Sequence, residues 1–93
     1  MGYIYKITNL INGKVYIGQT RRTIEIRWRD HVYDSKRSEY PIHRAIRKYG
    51  VDNFKIEMLE ECENDKLDEK EIYWIKEYDS TNSDKGYNAT SGG

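Results

Sequence analysis

The chain has 93 residues, with 16 Lys or Arg against 16 Asp or Glu and a formal net charge of zero. A chain of this length folds as one domain, residues 1–93, that buries roughly 60 to 65% of its unfolded surface, which excludes a second core. Leu, Ile, Val and Phe supply only 18 residues, but the absence of net charge excludes simple disorder, and nine Tyr and two Trp can lend core area through large rings with polar tips.

The first element is a strand over Tyr3–Thr8, and a second covers Lys14–Gln19, with Asn12-Gly13 between them as a hairpin signal. A hairpin that pairs odd residues of the first strand with even residues of the second sets Tyr5 and Tyr16 on one face, although parity alone does not fix their distance. Thr23 is placed to cap a helix ending near Lys36, whose buried stripe is Ile24, Trp28 and Val32. Arg27 and His31, four apart, lie on an adjoining face.

Pro41 opens a second helix with the apolar stripe Ile42, Ala45, Ile46 and Tyr49, and Gly50 ends it. Its outer face is expected to carry His43, Arg44, Arg47 and Lys48. Phe54–Met58 alternates as a third strand that runs on to Glu60 or Glu61. Asn64 or Asp65 then caps a third helix, whose stripe is Leu67, Glu71, Trp74, Ile75 and Tyr78. The last fifteen residues read as an irregular tail, with Gly86-Tyr87-Asn88 its aromatic anchor. The class is α+β: a small three-stranded antiparallel sheet flanked by about three helices.

The zero net charge conceals a segregation. Residues 21–49 hold nine Lys or Arg against four acids, a net of +5, whereas residues 54–79 hold four Lys against ten acids, a net of −6. Most charge runs are solvated helix faces. Here Trp28, Tyr33, Tyr40 and Tyr49 are interleaved with the basic run, as on surfaces that track a phosphate backbone, and Arg21, Arg22, Arg29, His43, Arg44, Arg47 and Lys48 are the candidate contacts. Cys62 is alone, so no internal disulfide and no Cys-based zinc cluster can form. A reducing, cytoplasmic or host-cell compartment is expected, with no secretion and no membrane partner. Asn88-Ala89-Thr90 then fits the glycosylation pattern by accident.

A carboxylate on an apolar stripe is costly unless it is paired or binds a cation, so Glu71 needs a partner. Arg27 or a tyrosine hydroxyl is one answer. A divalent cation is the other, because Mg²⁺ is commonly held by one carboxylate and several waters on proteins that work on phosphates. Phosphodiester hydrolysis needs an activated water, positive charge facing phosphorus and help for the departing oxygen. Arg27 can grip a phosphate, Glu71 can hold a metal, and Tyr5, Tyr16 and His31 can relay protons. With an ordinary pKa of about 10, tyrosine needs assistance to act as a base.

Five blocks, Tyr3-Ile4-Tyr5, Lys14-Val15-Tyr16-Ile17-Gly18, Arg27-Trp28 with His31, Glu71 to Ile75, and Gly86-Tyr87-Asn88, resemble the signature of the GIY-YIG nuclease family, in its phage intron-encoded, homing branch. The resemblance implies a metal-dependent DNA endonuclease using one divalent ion, Mg²⁺ with Mn²⁺ as a substitute. By it, Tyr5 is the general base or water-positioning phenol, Tyr16 its partner near the water and metal shell, and Arg27 the phosphate clamp. His31 becomes the proton relay, Glu71 the metal ligand, and Asn88 a carboxamide that fixes the geometry from the tail.

Two departures stand out. Tyr3 replaces the family's first glycine, and a further histidine of the intron-encoded branch is replaced near Tyr40, with His43 a substitute for it. Members of that branch carry a separate DNA-recognition region, so the chain is either the N-terminal catalytic part of a longer protein or a small free-standing nuclease. Two other readings remain: a nucleic-acid binding module of the same fold without chemistry, and a small interaction domain with no nucleic-acid role.

Overall fold

The computed structural model describes residues 1–92. Its elements, in order, are β1 (Gly2–Asn9), β2 (Val15–Thr20), α1 (Ile24–Asp34), α2 (Pro41–Tyr49), β3 (Phe54–Cys62) and α3 (Leu67–Tyr78), with 3₁₀ turns at Val51–Asn53 and Asn64–Lys66. The strands form one antiparallel sheet in the order β2-β1-β3. This is the α+β arrangement expected from the pattern of apolar residues.

The start of α1 and both ends of α2 have local causes. Thr23 Oγ1 accepts the Ile26 N–H at 3.2 Å, Pro41 sits in the first turn of α2, and Gly50 ends it at φ +90°. α3 departs from expectation. Neither Asn64 nor Asp65 caps it; instead these residues form the 3₁₀ turn in which the Lys66 N–H bonds to Glu63 O, so the backbone satisfies the donor that a side chain was expected to take.

The sheet is sandwiched. Alternation along β1 sends Tyr5 and Ile7 to one face, where they pack with Ile42, Ala45, Ile46 and Phe54, with Trp28 and Tyr49 at the border. It sends Ile4 to the other face, with Ile17, Cys62, Leu67 and Ile75. Thus α1 and α2 cover one face and α3 the other, and Ile4, Tyr5 and Ile7 of the central strand are all completely buried. A bulge on β3 shifts the register between Ile4, opposite Glu60, and Tyr5, opposite Met58.

The buried stripe of α1 differs from its apolar pattern. Ile24, Trp28 and Val32 are only half-buried, whereas His31 is 1% exposed and Ser35 4%. The helix has rotated to bring a polar line, Arg27, His31 and Ser35, inward, because the hydroxyl of Tyr5 lies beneath it.

The register opposes Tyr5 to Gly18, and a Cβ at Gly18 would collide with the Tyr5 hydroxyl and ring carbons. The phenol therefore lies flat across β2 in space that only glycine leaves. The tail uses the free edge of the same strand: Val15 bridges Gly86 in parallel, and the Tyr87 N–H bonds to Val15 O at 2.9 Å.

Gly18→Ala is expected to lower the unfolding free energy in urea by about 1–3 kcal/mol through overpacking. The loss should shrink when Tyr5→Leu is added, because the two changes share one contact.

Candidate active site

The hairpin brings two phenols together as parity requires: the Tyr5 and Tyr16 ring centroids are 6.4 Å apart. Their surroundings differ. Tyr5 has no exposed surface, and its hydroxyl is 2.7 Å from His31 Nε2 and accepts from Arg27 Nε at 3.3 Å. Tyr16 is half-buried and lines a cavity of about 380 Å³. Tyr5 was expected beside the reacting water and Tyr16 as its partner; the structure opens Tyr16, not Tyr5, to the cavity.

Burial raises the pKa of both phenols. For Tyr5, desolvation dominates and Tyr16 adds to it, against the opposing pull of Arg27. For Tyr16, desolvation is followed by the negative charge of Glu71. Both are neutral phenols, able to hydrogen-bond and disinclined to ionise.

His31 does not stop at Tyr5. Its Nδ1 is 2.9 Å from His43 Nε2, so four side chains from β1, α1 and α2 form one line: Arg27, Tyr5, His31, His43. This corrects the expected position of His43 on the outer face of α2, where it is instead 5% exposed and packed against His31 with ring centroids 5.1 Å apart. The cause is the tyrosine-led inward line of α1, which offers a polar partner where the apolar pattern showed none. Burial, with Arg27 and His43 nearby, lowers the His31 pKa from 6.5 to about 3, and burial likewise lowers that of His43, against the opposing charge of Asp34. Both imidazoles are neutral at physiological pH.

The cavity draws its walls from both layers. Tyr16 comes from β2, Arg27 and His31 from α1, Tyr40 to His43 from the start of α2, Glu71 and Ile75 from α3, and Tyr87 to Thr90 from the tail. Groups on opposite faces of a sheet can meet only around an edge, and β2 is an edge strand.

Asn88 holds that edge. Its Oδ1 accepts the Ile17 N–H at 2.9 Å and its Nδ2 donates to Ile17 O at 2.8 Å, so the carboxamide continues the ladder as a backbone amide would. Glu71 lies on its half-buried stripe and accepts from Gln19 Nε2 at 3.3 Å, and the same amide reaches Asp68 Oδ1 at 2.8 Å. Gln19 escaped the sequence reading, although its parity with Val15 and Ile17 places it on the α3 face.

Among the described residues, no three His, Cys, Asp or Glu side chains are grouped to hold a metal. The cavity lining holds two carboxylates, Asp34 and Glu71; a cation on Glu71 would otherwise keep water, and such a donor set suits Mg²⁺, which keeps most of its hydration shell.

The basic candidates separate. Arg44 and Lys48 line a second depression of about 510 Å³ together with Lys14, and this depression shares Pro41, Tyr87 and Asn88 with the first. Among the described residues, no acid lines it. Arg47 is engaged elsewhere: its Nη1 donates to Ser35 O at 2.6 Å and Ser38 O at 2.5 Å, and its Nη2 pairs with Glu39, which fastens the α1–α2 connection. Arg21, Arg22 and Arg29 are exposed and line neither depression.

A family model described as the GIY-YIG catalytic domain matches residues 1–88. An uncharacterised protein, 019R, of Invertebrate iridescent virus 6 is 37% identical over 92 residues, covering 95% of this chain and 33% of the relative. Intron-associated endonuclease 1 of Enterobacteria phage T4 is 38% identical over 90 residues, covering 91% of this chain and 35% of the relative. The chain thus spans about a third of the length of these relatives. A solved structure of the catalytic domain of homing endonuclease I-TevI is similar at a TM-score of 0.80 and 35% identity, covering 97% of this chain and 99% of that one. A mutant form of the I-TevI catalytic domain gives 0.84 and 34%, covering 100% and 98%.

The lowered pKa of His31 has a measurable consequence. The unfolded chain takes up a proton as pH falls through 6.5, while the folded chain resists until about 3. Stability is therefore fully present above 6.5 and is lost as pH falls toward 3, at up to about 1.4 kcal/mol per pH unit for this group. Urea unfolding at pH 7.5 and 5.5 should show that loss, with a smaller one in His31→Gln.

Proposed function

The chain belongs to the GIY-YIG catalytic domain family, and from that membership we propose a Mg²⁺-dependent endonuclease domain that hydrolyses DNA phosphodiester bonds with little sequence preference of its own. It is a nuclease domain related to the catalytic domains of homing endonucleases. The observation that carries the reading is the convergence of Tyr16, Arg27, His31 and Glu71 on one cavity that continues into a basic depression without acids.

Each residue then has a part that follows from its position. Arg27 enters the cavity wall with its Nε anchored on Tyr5, so its terminal nitrogens serve a phosphate and the charge that develops on it. Tyr16, the phenol open to the cavity, orients the water by hydrogen bonding. Glu71 would hold the divalent ion, and Gln19 fixes the direction of its carboxylate. When bound, that ion supplies Lewis acidity that favours an ionised water and offsets negative charge on phosphorus. Mn²⁺ satisfies the same oxygen donors and substitutes for Mg²⁺. Asn88 acts by position, since both of its polar atoms are used on Ile17.

The DNA strand on either side of the scissile phosphate follows the basic depression. Lys14, Arg44 and Lys48 there meet the backbone, and Tyr49 and Tyr87 offer ring faces to it. Contacts of this kind read charge and leave sequence unread.

With Mg²⁺, the chain should convert supercoiled plasmid to nicked or linear forms, EDTA should stop it, and Glu71→Ala and Arg27→Ala should each lower the rate at least about 100-fold with the fold intact. Activity that survives both substitutions would defeat the reading. Removing Lys14, Arg44 or Lys48 should weaken DNA binding and reduce the slope of log affinity against log salt by about 1 for each cation lost.

A further inference from the structure

The line of four side chains has a direction, and following it assigns a part to His43. The guanidinium Nε of Arg27 can only donate, so the Tyr5 oxygen accepts from it. Tyr5 is completely buried, and the acceptor within reach of its own proton is His31 Nε2 at 2.7 Å. A neutral imidazole whose Nε2 accepts carries its proton on Nδ1, and that atom is 2.9 Å from His43 Nε2. His43 Nε2 must then accept, which leaves the His43 proton on Nδ1.

That last atom is buried without a hydrogen-bond partner among the described residues. The opposite polarity is worse: it would leave the Tyr5 proton unmatched in addition to His43 Nδ1. One arrangement therefore prevails, and it is set by an acceptor on α2, His43 Nε2, at the opposite end of the line from Arg27.

We propose that His43 is a positioning residue, whose Nε2 fixes the tautomer of His31 and, through Tyr5, the orientation of Arg27 in the cavity wall. The depressed pKa values of both histidines keep the two imidazoles neutral, as a directed chain requires, since a doubly protonated His31 could not accept from Tyr5. Replacing the His43 acceptor frees the His31 proton to sit on either nitrogen. In one of those forms Tyr5 loses its acceptor, and the contact that holds Arg27 loosens. The consequence for cleavage rests on the nuclease reading; the tautomer and the Arg27 contact do not.

Two variants separate the part from mere packing. His43→Phe keeps a ring and removes the acceptor; His43→Gln keeps an amide oxygen where Nε2 lies. Long-range proton–nitrogen NMR reads the His31 tautomer, exchange of the Arg27 Nε–H with water reads its anchoring, and circular dichroism confirms the fold. The expected result is His31 protonated on Nδ1 in the parent and in His43→Gln. In His43→Phe the tautomer should be mixed or reversed and Arg27 Nε–H exchange faster. For plasmid cleavage with Mg²⁺, kcat should fall about 10- to 100-fold in His43→Phe, with KM within about threefold, and largely recover in His43→Gln.

A parent His31 protonated on Nε2 would overturn the proposal. So would unchanged Arg27 exchange and unchanged kcat in a folded His43→Phe chain. A parent that cleaves nothing would instead defeat the nuclease reading, while the two NMR measurements still decide the part played by His43.

Discussion

Tyr5 sits in the central strand with no surface of its own, yet its hydroxyl must be satisfied, and much of the site follows from that requirement. An unmatched phenol in a core this small would remove a sizeable part of the stability margin of a 93-residue domain. Gly18 admits the ring on one side, and α1 answers on the other by turning Arg27 and His31 inward. Once His31 is buried, its second nitrogen needs a partner too, and α2 supplies His43. A single hydroxyl thus sets the rotation of two helices.

The edge of the sheet supplies the other constraint. A sheet covered on both faces hides its polar groups everywhere except at its ends and edges, so a cavity fed by α1 on one face and α3 on the other must lie at an edge. An open edge invites pairing with other chains. Here the tail occupies part of it: Gly86 and Tyr87 pair with Val15, and the Asn88 side chain pairs with Ile17. Protection of the edge and construction of the cavity wall are the same contacts.

Much of this was legible in the residues. Period-two and helical patterns located all three strands and all three helices, and parity alone put Tyr5 and Tyr16 on one face. The misplaced acid on the α3 stripe marked Glu71 as a residue in need of a polar partner, and Gln19 is one. What stayed hidden were polar contacts that a hydrophobic pattern does not encode. His43 looks like one more polar residue on the outside of α2, because its burial depends on a histidine twelve residues earlier that is itself turned inward by Tyr5. Arg47 counts as basic surface until Ser35 and Ser38 carbonyls claim it. Which of two phenols faces the cavity is likewise a matter of packing depth, and alternation is silent on depth.

The Asn88 carboxamide and the Ile17 backbone it completes are 71 residues apart, nearly the whole chain. During synthesis the hairpin leaves the ribosome before the tail, and at about 5–20 residues per second it waits seconds for its edge partner. Until then the hairpin is a pair of strands without its last wall, and the cavity is unbuilt. The finished arrangement therefore appears only once the end of the domain has emerged, so assembly order itself delays completion of the cavity.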